Sequence, residues 1–420
     1  MICESKMDFF LPESDDLVDP NFEFLTDTYS DLRSKDLEHD VYAHQLFDAP
    51  NCDGLLITKS NITPPIELQV AARGGVHAFF RFPKTRKIIG DCGAFQFIDD
   101  PVPPYTNEEI YAYYERLGFD LGISLDHVIV EFDLRYDEGQ ELFKFDPTDD
   151  MKLRFRLSLD NAKELLHLTS RRNAKFKPIG SVQGWSPSSY HTGVRELIDA
   201  GYDYIAIGGV AKASNDTIIA ILSEIRSTVL NAGVKLHILG VARLNILDDY
   251  MKTNVASCDS AGSLMQAFKS TKDNYYAPIR NYTAVRIPAV NGDSSPKVLK
   301  HLKPFADCAE KYDREKQRLS KLEQGALKAI RAYAKHSLSL EKAMAALKTY
   351  ENQFDGEQTY YPMFEETLRD RPWENCPCAI CKKIGVEVII MRGNNRNRRR
   401  GFHNTFVFFE QFKRKVGYTP

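Results

Sequence analysis

Long apolar runs are missing from this sequence. Nowhere in its 420 residues do eighteen apolar side chains follow one another, so nothing points to a membrane-spanning helix. Repeats, collagen-like periodicity and low-complexity tracts are missing too, which argues against a fibre or a disordered chain. Residues 1–20 are acidic and lack the basic-then-apolar pattern of a secretory leader, so a cytoplasmic protein is expected. Cysteine is sparse, eight in all, and in that compartment a disulfide framework is not expected. The formal net charge is only −3, which excludes a globally basic coat.

What is present suits a large globular domain. With 43% hydrophobic and 27% charged residues, the chain exceeds one small module and fits a single α/β barrel with insertions. The small net charge hides a polarity. Residues 1–40 hold twelve Asp and Glu against three Lys and Arg, whereas residues 371–420 hold eleven Lys and Arg against three Glu. A basic end on a near-neutral chain suggests either a local polyanion contact or a solvated tail.

Short apolar runs recur between helical patterns. They cover 87–90, 121–125, 177–182, 204–207 and 235–239. Helices are expected over about 188–200, stopped by Gly201, and about 215–231, capped by Ser214 or Asn215 with Gly233 beyond. Strands alternating with helices indicate a parallel sheet covered by helices. Both an open sheet and a closed barrel fit that alternation. The barrel is favoured because Asp91, Asp126, Gln183, the Gly208–Gly209 pair and Asp259 all fall at or just past the carboxyl end of a strand-like run, where a barrel gathers its active site.

The texture then changes. From about Pro304 to Tyr350, Leu319, Leu322, Ala326, Leu327, Ile330 and Tyr333 recur at helical spacing among Lys and Arg, which predicts a helical insertion with a basic outer face. Residues 279–296 read as a strand-poor connection. The expected divisions are a barrel core over 1–300, the insertion over 301–360, and a metal-binding subdomain with a final barrel helix over 361–420.

Cys376, Cys378 and Cys381 form a tight knuckle, and His403 follows Cys381 by 22 residues. Three thiolates and an imidazole make a tetrahedral set that suits one structural zinc ion, with no open position for a substrate. Between the ligands, Arg392 to Gly401 reads as a flexible loop rich in guanidinium groups. Arg392, Arg396, Arg398, Arg399 and Arg400 are accordingly candidates for nucleic-acid contact, with a solvated loop as the alternative.

Several short motifs now line up. Asp91-Cys-Gly-Ala-Phe-Gln96 resembles the Asp-Ser-Gly-Ala/Gly-Phe-Gln motif of the tRNA-guanine transglycosylase family. Val182-Gln-Gly184 resembles its Gln-Gly motif, Ala206-Ile-Gly-Gly209 its base-binding turn, and Cys258-Asp-Ser-Ala261 the nucleophile segment of its archaeal branch. The knuckle ending in His403-Asn404 is similar to the family's zinc pattern. Together the motifs keep the family's order over about 85–265 and 370–420.

The resemblance implies a (β/α)8 barrel and base exchange at a glycosidic bond. It makes Asp259 the nucleophile at C1′ and Asp91 the general acid/base. Asp126 would read N1 and the exocyclic amine of a guanine-like base. Gln183 and the backbone N–H of Gly208 or Gly209 would address its O6 edge, and Gly184 would also lie at the base.

Three positions depart from the family pattern. Cys92 stands for the usual Ser, Trp185 follows the Gln-Gly pair, and Cys258 replaces Phe before the nucleophile. From Asp259 to Cys376 there are 117 residues, and no RNA-binding extension follows the knuckle. That mixture resembles the DNA-acting branch, which inserts 7-deazaguanine bases such as 7-cyano-7-deazaguanine. Action on tRNA, or a non-catalytic nucleic-acid-binding subunit, are the alternatives. The helical insertion leaves DNA binding, homodimerisation and plain packing open. Whether a helper ATPase opens the duplex is equally open.

Overall fold

The computed structural model describes residues 7–13, 16–35, 38–137, 146–291, 295–354 and 358–417. Eight parallel strands close into a barrel in chain order. They are β1 (Asp8–Pro12), β2 (Gly54–Thr58), β3 (Lys87–Asp91), β4 (Leu121–Ile123), β5 (Lys177–Val182), β6 (Tyr204–Ile207), β7 (Lys235–Ile238) and β8 (Val255–Asp259). The ring closes where β1 pairs with β8, Phe10 opposite Asp259. Phe10, Leu56, Ile89, Ile123, Ile179, Tyr204 and Ala206 form one buried cluster drawn from β1 to β6, as inward-facing residues of a small barrel do.

The five expected strand runs coincide with β3 to β7 to within two residues at either end. The expected helices are Pro187–Ala200 and Asn215–Ala232. Gly201 and Gly233 cap them in the left-handed conformation, and the Ser214 side chain accepts the Thr217 N–H. Helices follow most strands, so the parallel sheet covered by helices is a (β/α)8 barrel.

By contacts the chain forms two compact units, neither of them a single stretch. The first takes Met1–Asp15, Cys52–Gly262 and Phe409–Pro420, and contains the barrel. In it, Phe9 of β1 packs its ring on Phe409 and Phe412 at 6.1 and 5.8 Å between centroids. The second takes Asp16–Asn51 and Ser263–Phe408. The helical insertion lies in this second unit as Ala309–Ala334 packed against Leu340–Glu351. It buries Leu319, Ala326, Leu327 and Ile330 against Met344, Leu347 and Tyr350.

The connection over 279–296 is strand-poor as expected, whereas the arginine stretch differs from expectation. Residues 279–296 hold a short strand, β9 (Val285–Arg286), which pairs in parallel with β10 (Ile390–Met391). The stretch expected as a flexible Arg-rich loop is instead the start of a long helix, Gly393–Lys415. Gly393, three asparagines and Gly401 are poor helix formers, so local propensity gave no hint of it. The helix is held by tertiary contacts described below.

Candidate active site

The carboxyl ends of the strands carry the polar residues. Asp91 ends β3, Asp126 follows β4, Gln183 follows β5, Gly208 and Gly209 follow β6, and Asp259 ends β8. All of them line one cavity of about 180 Å³, together with Pro12, Leu56, Val128 and Leu239. Sequence positions spread over 169 residues, from 91 to 259 inclusive, therefore converge on one barrel mouth.

Asp126 is the hub of one side. Its Oδ2 accepts Ser181 Oγ–H at 2.7 Å and Gln183 Nε2–H at 2.6 Å, and its Oδ1 accepts the Cys92 S–H at 3.2 Å. Three donors hold the carboxylate in one orientation although it is buried. The backbone beside it must come close. A Cβ on Gly208 would sit 2.1 Å from Gln183 Nε2, and one on Gly209 would sit 2.8 Å from Gln183 Oε1 and 2.9 Å from the Ile129 carbonyl. Gly209 also has φ +74°, which a side chain would strain. Gly184 packs under Tyr190, whose hydroxyl donates to the Gly208 carbonyl at 2.7 Å. The Gly208 N–H is engaged by the Val182 carbonyl, so of the two amides expected at the base edge only that of Gly209 remains to be offered.

Asp91 and Asp259 occupy the other side. Oδ2 of Asp91 accepts the Gly93 N–H at 3.1 Å. Burial, then the charges of Asp126 and Asp259, push the Asp91 carboxyl up to about 7. A group poised there can both give and take a proton near neutrality. Asp259 is held differently. Its Oδ1 accepts the Gly240 N–H at 2.8 Å and lies 3.1 Å from His237 Nε2. One acid is thus tuned towards protonation and the other is clasped by donors, the separation of roles that two-carboxylate chemistry needs.

In the second unit, Cys376, Cys378, Cys381 and His403 form a cluster that could hold a metal ion. The sulfurs lie 3.5, 3.4 and 3.4 Å from His403 Nδ1. Tetrahedral zinc with ordinary bond lengths would give sulfur-to-nitrogen edges of about 3.6 Å, so donor set and spacing suit it. His403 Nε2–H donates to the Tyr276 carbonyl at 2.8 Å, which turns Nδ1 towards the thiols. The neighbouring Asn404 accepts the Tyr276 N–H at 2.8 Å and donates to the Asn274 carbonyl, fixing the segment that bears the Tyr276 carbonyl.

No protein-family model matches the chain. A DNA-guanine transglycosylase of Salmonella montevideo is 36% identical over 423 residues, covering 97% of each chain. The chain belongs to the guanine transglycosylase superfamily. It falls in the branch of this relative and is an enzyme of the glycosyltransferase type. The departures from the superfamily pattern now have structural accounts. Cys92 keeps a donor on Asp126, Trp185 packs its ring on Phe155 at 5.2 Å, and Cys258 is wholly buried in β8.

The arginines of this transglycosylase correct the expected phosphate contact. Arg396 is 2% exposed, donates to Glu387 at 2.9 and 2.7 Å and to the Phe24 carbonyl at 2.7 Å, and pairs with Asp27. Arg392 pairs with Asp27 and Glu323 at 2.6 and 2.5 Å. Arg400 is fully buried and donates to the carbonyls of Ala267, Val388 and Ile390. Arg399 is buried on the Asp19 carbonyl. Arg398 alone of the five keeps a third of its side chain exposed, and it donates to the Leu17 carbonyl and lies 3.3 Å from Asp16. In the second unit Asp16 and Asp27 of the acidic end therefore pair with Arg392, Arg396 and Arg398 of the basic end. Four of the five arginines are thus buried on internal carboxylates or carbonyls, and Arg398 is the one with its side chain partly in solvent.

Sequence reasoning missed Ser181, Gly240, His237 and the Ser257 and Tyr204 hydroxyls behind it. The available signal was a histidine in the apolar run of β7, a run whose pattern marks it only as strand.

Proposed function

We propose that the protein exchanges guanine in DNA for a 7-deazaguanine such as 7-cyano-7-deazaguanine, through a covalent glycosyl-aspartate. Asp259 attacks C1′ as the bond from C1′ to N9 breaks, and Asp91 delivers its proton to the departing guanine. The incoming base then loses its N9 proton to Asp91 and attacks C1′, releasing Asp259, so configuration is retained. Asp126 accepts the N1–H and exocyclic amine of the base, and the Gly209 N–H donates to O6. Asp126 Oδ2 already accepts from Ser181 and Gln183, so a base donating to that oxygen displaces one of them, and Gln183 is then released towards the base edge. The observation that carries the reading is the convergence of Asp91 and Asp259 with Asp126 and Gly209 on one cavity. A binding subunit would need neither of the first two. The relative's name favours DNA over tRNA.

A structural zinc ion on Cys376, Cys378, Cys381 and His403 fits this reading. When bound it supplies cross-linking of the second unit and no chemistry at the sugar. The test is direct. Duplex and single-stranded DNA, and separately tRNA, are incubated with the enzyme and a 7-deazaguanine, then digested and analysed as nucleosides. A deazaguanine deoxynucleoside supports the proposal, and modification of tRNA alone transfers the activity to the other polymer.

A further inference from the structure

Behind Asp259 lies a chain of buried groups that the reaction just described does not use. His237 is 0% exposed on β7. Its Nε2 is 3.1 Å from Asp259 Oδ1, and its Nδ1 is 2.5 Å from Ser257 Oγ. Ser257 Oγ is in turn 2.5 Å from the Tyr204 hydroxyl. The three residues come from neighbouring strands β6, β7 and β8, and the Phe10 ring stands edge-on to the imidazole at 6.1 Å. An ionised carboxylate only accepts, so Nε2 carries the hydrogen in this contact. In the neutral ring Nδ1 then accepts from the Ser257 hydroxyl, and Ser257 accepts from Tyr204.

We infer that His237 is the positioning residue of the nucleophile, and the inference rests on the base-exchange reading above. With the Gly240 N–H it pins Oδ1 of Asp259 from two directions, which leaves Oδ2 as the oxygen presented to C1′. Ser257 and Tyr204 fix the ring and its tautomer. A carboxylate without this clasp can rotate, and misplacement of a reacting atom by about an ångström costs on the order of 10²-fold in rate.

The test compares His237→Phe, His237→Gln and Ser257→Ala in the full chain. Exchange is followed with radiolabelled guanine on the polymer that the wild type uses. His237→Phe keeps the ring volume and loses the donor, so kcat should fall roughly 10²-fold with KM for the base unchanged. His237→Gln restores an N–H near the Nε2 position and should recover most of that loss. Ser257→Ala, a small change tolerated by packing, should lower kcat roughly tenfold through the loosened ring. If His237→Phe and Ser257→Ala both turn over like the wild type, the inference is overturned while base exchange stands. A folded His237→Gln protein as slow as folded His237→Phe overturns it equally. A wild type inert on both DNA and tRNA removes the exchange reading itself, and the positioning role with it.

Discussion

Cys92 donates its S–H to Asp126 Oδ1 across 3.2 Å. Burial and the neighbouring carboxylates push this thiol well up, so it stays protonated and remains a donor at neutral pH. Replacing it with Ser should keep the hydrogen bond and leave base affinity within about threefold. Cys92→Ala should raise KM for the base at least about tenfold, the worth of a hydrogen bond to a charged group. Steady-state kinetics of the two variants decide this, and equal KM values would remove the thiol from the site. The wild-type Cys92 should also resist iodoacetamide at pH 8.

Asp91 carries the pH dependence. Its carboxyl is pushed up to about 7 by burial and by Asp126 and Asp259. Expulsion of guanine needs the protonated form, so single-turnover cleavage should fall as pH rises through about 7. Stability follows the same sign. Between about pH 4 and 7 the folded state holds a proton that the unfolded chain has lost, so this contribution is present at low pH and disappears as pH rises through 7. Asp91→Asn should abolish exchange and yet raise Tm at pH 8 more than at pH 5. Melting curves at both pH values suffice, and an equal shift at the two would contradict the buried-acid account.

Asp259→Asn should abolish exchange with the fold intact, because an amide is a poor nucleophile at C1′. Enzyme quenched in mid-reaction should carry a sugar-phosphate adduct on the peptide containing Asp259 and on no other. Near-normal turnover of the variant would falsify the nucleophile assignment.

The barrel and its mouth were legible because they follow from short-range rules. Apolar runs ending in Asp, Gln or Gly-Gly mark strand ends whatever surrounds them, and β3 to β7 lie where those runs predict. β1 was hidden because Asp8–Pro12 lies in an acidic stretch and ends in proline. His237 was hidden for another reason: its partner Ser257 is 20 residues away, and only strand pairing brings the two together. The loop reading of the arginine segment failed, since it is helical. Its charge suggested solvent, whereas Asp27, Glu323 and Glu387 supply partners that no local pattern announces.

Cys376, Cys378, Cys381 and His403 lie in the second unit and could hold a metal ion. Cys378→Ser removes one thiolate from the set that His403 faces across 3.4 Å. Metal content measured on purified protein should fall well below one per chain. Hydrogen exchange should speed up around residues 376–408, since binding free energy at such sites is folding free energy. Wild-type protein without near-stoichiometric zinc would contradict the zinc assignment, and unchanged exchange rates in the variant would contradict the structural role.

Arg396 and Arg398 sit two residues apart on one helix and should behave oppositely. Arg396 is sealed in, shared between Glu387, Asp27 and the Phe24 carbonyl. Its replacement by Ala takes a guanidinium partner from Glu387 and from Asp27, which keep only Arg331 and Arg392, and lost hydrogen bonds to charged groups cost about 1.5–3 kcal/mol. Arg398 keeps a third of its side chain in solvent and faces Asp16 at 3.3 Å. Its loss should cost less than about 1 kcal/mol, as for other exposed pairs. Denaturant melts of Arg396→Ala and Arg398→Ala separate these values cleanly. A phosphate-contact role predicts the reverse pattern: unchanged stability for Arg396→Ala, with weaker DNA binding and a flatter salt dependence. Titrating the variant against one oligonucleotide at several salt concentrations reads that second quantity. A stable Arg396→Ala protein with a reduced salt slope would return Arg396 to the nucleic acid and remove the internal role argued from its pairs with Asp27 and Glu387.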